Sequence, residues 1–193
     1  MYGLKLPTDP RWVNLAEKSL EDILTDHAYC EQKAASTGIS LIQQYPDREK
    51  LVEELTPVVS EEWGHFKMVM HHLKKRGLKL GKQRKDEYVG LLIKTTKKGG
   101  SRDDQLLEQL LLAALIEARS CERFRLLAQN IADEELQEFY KMLMKSEAGH
   151  YRLFLDLAME YLPKDKVLDR WKEFLDAEAD IIKAIGLRGD RIH

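Results

Sequence analysis

Apolar residues recur at the spacing of an α-helix in four long stretches of this sequence, and the alternating pattern of a β-strand is absent. The first two stretches cover residues 12–45 and about 47–77, and Pro57 is expected to kink or divide the second. The third runs from 102 or 103 to about 132, and the fourth from about 134 to 161. Four helices of this length predict a helical bundle.

A glycine-rich connection separates the first helix pair from the second. Residues 77–102 contain five glycines and one short apolar group, at 88–93, which predicts a helical turn or two. A fifth, shorter helix is expected over about 165–185. This order of elements is that of a bundle with one long crossover and an accessory C-terminal helix. The predicted fold class is therefore all-α, with a single domain over residues 1–193.

The composition predicts a cytoplasmic protein without a membrane partner. No apolar run approaches the roughly 20 residues of a membrane span. The first thirty residues also lack the pattern of an export signal. Two cysteines in such a chain, Cys30 and Cys121, are expected to stay reduced.

Two Glu-x-x-His pairs occupy matching places in this layout. Glu62 and His65 lie in the second helix, and Glu147 and His150 lie in the fourth. Side chains three residues apart share one face of a helix, so a carboxylate and an imidazole can reach the same ion. Either pair alone is a weak signal, but two at equivalent positions indicate a metal site.

Each of the other two helices carries a glutamate directly after a cysteine. Glu31 follows Cys30 in the first helix, and Glu122 follows Cys121 in the third. These glutamates precede the Glu-x-x-His pair of the next helix by 31 and 25 residues. A di-iron bundle takes one glutamate from each of two helices and a Glu-x-x-His pair from each of the others.

Four carboxylates and two imidazoles suit two ferrous ions, because the carboxylates balance the charge and leave coordination positions for oxygen. A bundle interior would not otherwise tolerate so many buried charges. This ligand pattern predicts a ferritin-like four-helix bundle. The predicted metal ligands are Glu31, Glu62, His65, Glu122, Glu147 and His150.

Neighbouring residues compete for roles at this site. Glu117 lies five residues before Glu122, about 140° around the helix, so both cannot face one centre. The repeated Cys-Glu pair favours Glu122. His27, one turn before Glu31, is interpreted as a surface histidine in preference to a residue that supports a ligand. Arg119, beside Glu122, is expected to pair with a carboxylate near the site.

Positive charge is concentrated in the crossover. Residues 74–102 contain eleven basic and two acidic residues, a net charge of +9, although the whole chain has a net charge of −2. A solvated loop and a polyanion-binding surface both account for such a segment.

Four segments of the sequence resemble the MiaE family of tRNA 2-methylthio-isopentenyladenosine hydroxylases. They are Cys-Glu-Gln-Lys-Ala-Ala-Ser (30–36), Glu-Glu-Trp-Gly-His-Phe (61–66), Glu-Ala-Arg-Ser-Cys-Glu-Arg-Phe (117–124) and Glu-Ala-Gly-His-Tyr-Arg-Leu-Phe (147–154). The resemblance implies a non-haem di-iron monooxygenase that hydroxylates the prenyl side chain of the adenosine beside the tRNA anticodon. It also implies that the six predicted ligands occupy the metal-binding positions of the family.

The same resemblance implies two iron ions, O2 and an external electron-transfer reductase as reaction partners. The tRNA would need phosphate contacts, which the basic crossover can supply. A monomer or small homo-oligomer is expected. The residues predicted as a group to contact tRNA are Lys74, Lys75, Arg76, Lys82, Arg84, Lys97, Lys98 and Arg102.

Three other functions are compatible with parts of this pattern. A di-iron oxygenase acting on a quinone, a lipid or peroxide would use the same ligands, although a quinone hydroxylase is expected to have an apolar membrane face. A non-catalytic, iron-binding ferritin-like protein would need a cage of subunits for storage. A helical nucleic-acid-binding module would need no metal at all.

Overall fold

The computed structural model describes residues 3–192, and these contain seven α-helices and no β-strand. The prediction of an all-α fold is confirmed. The helices are α1 (Arg11–Lys18), α2 (Leu20–Gln44), α3 (Glu49–Lys75), α4 (Glu87–Thr95), α5 (Arg102–Asn130), α6 (Glu134–Tyr161) and α7 (Lys164–Ile185).

The helix ends follow local capping chemistry. The Ser101 hydroxyl accepts a hydrogen bond from the Asp104 amide, and the Asp104 carboxylate accepts one from the Ser101 amide, which together form a capping box at the start of α5. The Asp133 side chain caps α6 in the same way by accepting from the Leu136 amide at 3.1 Å. Helix α6 therefore begins and ends where the apolar spacing predicts.

Two boundaries differ from the sequence-based expectation. The first predicted helix is interrupted at Ser19, whose φ of −123° and ψ of 39° lie outside the helical region, so α1 and α2 are separate. Helix α3, in contrast, continues through Pro57 without division. A proline removes one backbone donor, and a 27-residue helix absorbs that loss.

The crossover contains more helix than its composition suggests. Helix α4 has nine residues and is capped by Asp86, whose side chain accepts a hydrogen bond from the Val89 amide at 3.0 Å. Tyr88 and Leu92 are its buried residues. Two buried side chains four residues apart give this short helix an apolar face, which stabilises it despite the surrounding glycines.

The helices form two compact units. The α2/α3 unit consists of residues 14–85 and 189–192, and the α5/α6 unit consists of the residues up to Val13 and residues 86–188. In the α2/α3 unit, a Cβ atom on Gly38 would lie 2.6 Å from Val59 Cγ2, so glycine permits the close approach of the two helices. The prediction of a single domain stays a prediction.

Helices α4 and α7 pack with α5 in the α5/α6 unit. Arg170 of α7 donates two hydrogen bonds to Glu108 of α5, both at 2.7 Å. The remaining guanidinium nitrogen donates to Glu173 at 2.6 Å. The buried charge of Arg170 is therefore compensated by charge-assisted hydrogen bonds to carboxylates.

Both cysteines are free thiols, as predicted. Within residues 3–192, no helix combines the length and the apolar character that crossing a membrane requires.

Candidate metal centre

Glu31, Glu62 and His65 form a buried group in the α2/α3 unit, here called the α2/α3 triad. His65 Nδ1 lies 3.4 Å from Glu31 Oε2 and 3.4 Å from Glu62 Oε2. Each residue offers one ligand atom, and these atoms all lie within 4.8 Å of one another. Two carboxylates and an imidazole at this separation are the donors that a divalent transition metal prefers.

His27 supports the carboxylate of Glu31. Its Nε2 lies 2.6 Å from Glu31 Oε1, one helical turn away on α2, and the side chain is fully buried. The interpretation of His27 as a surface residue is therefore wrong. A polar group that fixes the orientation of a ligand tunes metal affinity, and this is the position that His27 takes toward Glu31.

Glu117, Glu147 and His150 form a second buried group in the α5/α6 unit, here called the α5/α6 triad. His150 Nδ1 lies 3.3 Å from Glu147 Oε2. One ligand atom from each of the three residues again lies within 4.8 Å of the others. The α5/α6 triad thus has the same composition as the α2/α3 triad, with two glutamates and one histidine.

The structure does not bring Glu122 to this second group. Its carboxylate accepts hydrogen bonds from the Thr8 amide at 2.8 Å and the Thr8 hydroxyl at 2.6 Å. Arg119 Nη1 forms an ion pair with the same carboxylate. The charge of Glu122 is therefore balanced by a guanidinium, and its oxygens are engaged by the segment that precedes α1.

Arg119 is the centre of a buried polar network. It is fully buried and donates to Glu178 Oε1 through Nε at 2.8 Å and Nη2 at 2.6 Å. The Tyr88 hydroxyl donates to the same oxygen at 3.2 Å, and burial raises the pKa of Tyr88 well above its ordinary value. The network therefore joins α4, α5 and α7 through charge-assisted hydrogen bonds.

The carboxylate position on α5 was detectable in the sequence through spacing across the hairpin. Glu117 precedes Glu147 by 30 residues, and Glu31 precedes Glu62 by 31, whereas Glu122 precedes Glu147 by only 25. Equal spacing selects Glu117. The repeated Cys-Glu pair selects Glu122 instead. In the structure Cys121 donates a hydrogen bond to the Met144 carbonyl at 3.0 Å.

The basic residues predicted to contact tRNA divide between the two units. Lys74, Lys75, Arg76, Lys82 and Arg84 lie in the α2/α3 unit, and Lys97, Lys98 and Arg102 lie in the α5/α6 unit. Arg84 Nη1 pairs with Asp22 at 3.1 Å and Asp190 at 3.2 Å. Lys97 Nζ pairs with Glu173 at 2.8 Å. Two members of the group therefore bind carboxylates of their own unit.

The chain matches the family described as tRNA-(ms2io6A)-hydroxylase (MiaE) over residues 2–193. It is 39% identical over 158 residues to the tRNA 2-(methylsulfanyl)-N(6)-isopentenyladenosine(37) hydroxylase of Pseudomonas putida, a match that covers 82% of this chain and 76% of the relative. The hydroxylase of the same name from Salmonella typhimurium is 28% identical over 228 residues, with 93% of this chain and 83% of the relative covered.

Comparison with solved structures identifies a protein from Synechococcus described as having aldehyde deformylating oxygenase activity. It superposes with a TM-score of 0.92 and 34% sequence identity, covering 98% of this chain and 94% of that chain. The predicted fold class, a ferritin-like four-helix bundle with one crossover and an accessory C-terminal helix, is confirmed.

Proposed function

The chain belongs to the MiaE family of tRNA hydroxylases, and we propose that it hydroxylates the isopentenyl side chain of the modified adenosine beside the tRNA anticodon, using two iron ions. Both curated relatives are named as hydroxylases of that nucleoside at position 37. The observation that carries the proposal is the pair of buried triads with identical composition, one in each helix hairpin.

The donor set fits a di-iron centre. We propose that the α2/α3 triad and the α5/α6 triad supply the ligands of two iron ions, with Glu117 in the place that the sequence predicts for Glu122. This set provides four carboxylates and two imidazoles, as in other ferritin-like di-iron proteins. The other five predicted ligands are retained: Glu31, Glu62, His65, Glu147 and His150.

Iron in this setting supplies O2 activation, with electrons from an external reductase. The protein supplies orientation and a dry environment. His27 holds Glu31 through the 2.6 Å contact, which fixes one carboxylate before metal binds. All six proposed ligands are buried, so few water molecules compete with them for the metal.

The test measures metal and product in the same preparation. Protein reconstituted anaerobically with Fe(II) should contain about two irons per chain, the number that six such ligands hold. Prenylated tRNA incubated with this protein, O2 and a reductant should then yield an adenosine heavier by one oxygen atom in nucleoside mass spectrometry. Protein without iron would refute the centre, and two irons with unchanged tRNA would refute the substrate.

An oxygenase that acts on an aldehyde is the second candidate, because the Synechococcus structure carries that activity. The same iron-loaded protein should be incubated with a long-chain aldehyde and assayed for formate. We expect no formate above the rate without enzyme. Formate release together with unmodified tRNA would favour the aldehyde oxygenase over the tRNA hydroxylase.

The remaining proposals concern the location, the oligomeric state and the partners of the protein. We propose that the chain works in the cytoplasm, as a monomer or small homo-oligomer, with a separate reductase that delivers electrons. Its tRNA partner follows from the family and from the names of the relatives. Light scattering of the iron-loaded protein tests the oligomeric state, since a storage cage would have a mass many times that of one chain.

A further inference from the structure

A run of sequence in the α2/α3 unit carries positive charge without any acidic residue. Residues 64–85 contain eight lysines and arginines and no aspartate or glutamate. They form the second half of α3 and the coil that follows it. Six of the basic side chains are exposed, and the five of them that follow residue 73 are here called the basic strip: Lys74, Lys75, Lys79, Lys82 and Lys85.

We propose that the basic strip is the surface along which the sugar-phosphate backbone of the substrate RNA runs, and that the basic loop before α5, which contains Lys97 and Lys98, is not. This inference rests on the proposed tRNA hydroxylase function and specifies where the RNA is held. Phosphate contacts by lysine position a nucleic acid without reading its sequence.

The coil that carries three of the lysines is fixed against α2. The Tyr29 hydroxyl donates to the Gly81 carbonyl at 2.9 Å, and the Gly81 amide donates to Thr25 Oγ1 at 3.3 Å. Further along, Arg84 donates to the Asp22 carbonyl at 3.2 Å. These contacts hold the backbone in place, so phosphate binding does not have to order it first.

The lysines of this coil point outward at every third position. Lys79, Lys82 and Lys85 are exposed, whereas Leu80 and Arg84 between them are partly buried. Arg84 is committed to Asp22 and Asp190, so it anchors the coil and leaves the lysines to meet a ligand. Lysines exposed along a fixed backbone can neutralise phosphates of a nucleic acid.

The basic strip is also close to the α2/α3 triad along the same helices. Lys74 follows His65 by nine residues on α3, about 13 Å at 1.5 Å per residue. On α2, Tyr29, which holds the coil, lies two residues before Glu31. An enzyme that acts on a base takes it from a single strand or flips it out of the stack. The exposed lysines and the buried α2/α3 triad lie in the same unit, so phosphates can stay on the surface of this unit while the modified base reaches its interior.

The basic loop before α5 is surrounded by acidic groups. Lys97 and Lys98 line a cleft of about 470 Å³ together with two further cations and four carboxylates, those of Lys166, Arg170, Asp104, Glu108, Asp169 and Glu173. Lys97 pairs with Glu173 through its side chain at 2.8 Å and donates its amide to Glu108 at 2.9 Å. The local charge is therefore close to balanced, and a polyanion gains little from binding there.

RNA fits the basic strip better than an anionic membrane does. A membrane-binding segment exposes apolar side chains as well as lysines. The outward positions of this coil are occupied by lysine and by Gln83, whereas Leu78 and Leu80 are partly buried. The chemistry of the strip is that of a phosphate-binding surface without an apolar anchor.

The test compares two triple variants that remove the same number of charges. Lys79→Ala/Lys82→Ala/Lys85→Ala removes the coil lysines, and Lys97→Ala/Lys98→Ala/Arg102→Ala is the matched control from the other basic loop. Binding of a fluorescent anticodon stem-loop RNA is measured by anisotropy between about 50 and 200 mM salt. The strip variant should bind about ten to a hundredfold more weakly, with a salt slope lower by about two to three, and the control should stay within about twofold.

Two further measurements keep the result specific. Lys79→Arg/Lys82→Arg/Lys85→Arg should restore affinity, because arginine also binds phosphate. Iron content should remain about two per chain in every variant, since none of these side chains is a proposed ligand.

The outcomes separate this inference from the function on which it rests. If the wild-type protein binds and hydroxylates tRNA but the strip variant binds as well as the control, only the strip is refuted. If the wild-type protein binds no RNA, both the strip and the tRNA substrate are refuted, while iron loading still tests the metal centre. Tighter binding to phosphatidylserine vesicles than to RNA, lost in the strip variant, would assign the surface to a membrane instead.

Discussion

Two glutamates on α5 are equally buried and have different surroundings. Glu117 is 7% exposed and lies with Glu147 and His150, whereas Glu122 is 5% exposed and lies with Arg119 and Thr8. Burial alone therefore does not identify a metal ligand. The partners do, because a carboxylate paired with a guanidinium already has its charge balanced, whereas one grouped with a second carboxylate and an imidazole matches a cation site.

The two glutamates also differ in what they connect. Glu122 receives hydrogen bonds from the Thr8 amide and hydroxyl, so it joins the segment before α1 to α5. Glu117 of α5 lies close enough to Glu147 and His150 of α6 for the three side chains to bind one ion. A substitution at Glu122 should therefore affect folding, and a substitution at Glu117 should affect metal binding and turnover.

The largest effect is expected from Glu117→Gln. The amide keeps the size of the side chain but loses the charge that a ferrous ion requires, so one iron should be lost from about two per chain. Hydroxylation of prenylated tRNA should fall by more than about a thousandfold, because a single iron does not replace the pair. Iron analysis and nucleoside mass spectrometry measure both effects. The free energy of unfolding of the iron-free protein should change by less than about 1 kcal/mol.

Glu122→Ala tests the other side of the comparison. Removing one member of a buried ion pair leaves the guanidinium of Arg119 with less compensation, and the free energy of unfolding should fall by about 3 kcal/mol. Urea denaturation of the iron-free protein measures this loss. The folded variant should still bind about two irons. Loss of iron without loss of stability would make Glu122 the ligand, as the repeated Cys-Glu pair predicts.

A smaller effect is expected from His27→Ala. His27 contacts Glu31 and is not itself a proposed ligand, so the variant should bind iron about ten to a hundredfold more weakly without losing a site. Titration with Fe(II) under anaerobic conditions measures the affinity. His71→Ala is the matched control, because His71 is an exposed histidine on α3. Equal affinities in the two variants would remove His27 from the support of Glu31.

The sequence predicts the bounds of the helices better than it predicts which helix residues are buried by contacts with distant segments. Helix α6 matches at both ends because Asp133 caps its start and the chain reaches Pro163 just after its end. His27, in contrast, lies in a run from Ile23 to Ala28 in which every residue is buried. Distant segments bring this about, since the Gly81 amide contacts Thr25 at 3.3 Å, and helical periodicity detects only local amphipathicity.

The choice between Glu117 and Glu122 shows which sequence signals are physical. The Cys-Glu repeat is a similarity of sequence only, because the two cysteines have different contacts. Cys121 Sγ donates to the Met144 carbonyl, and Cys30 Sγ lies 4.0 Å from Asp26. The spacing across a helix hairpin has a mechanical basis, because antiparallel helices with equal rise bring residues level at equal distances from the turn. Spacing should therefore outweigh a repeated dipeptide when ligands are assigned in such a bundle.

The smallest effect is expected from Ser101→Ala, which weakens α5 at its first turn, far along the helix from either glutamate. Loss of the N-cap hydroxyl should lower the free energy of unfolding by about 1 kcal/mol, because the Asp104 amide loses its acceptor. Iron content and tRNA hydroxylation should match those of the wild-type protein. This variant is a control for general destabilisation of α5. If such destabilisation were enough to release iron, Ser101→Ala would also lose iron. The loss of iron in Glu117→Gln would then no longer identify a ligand.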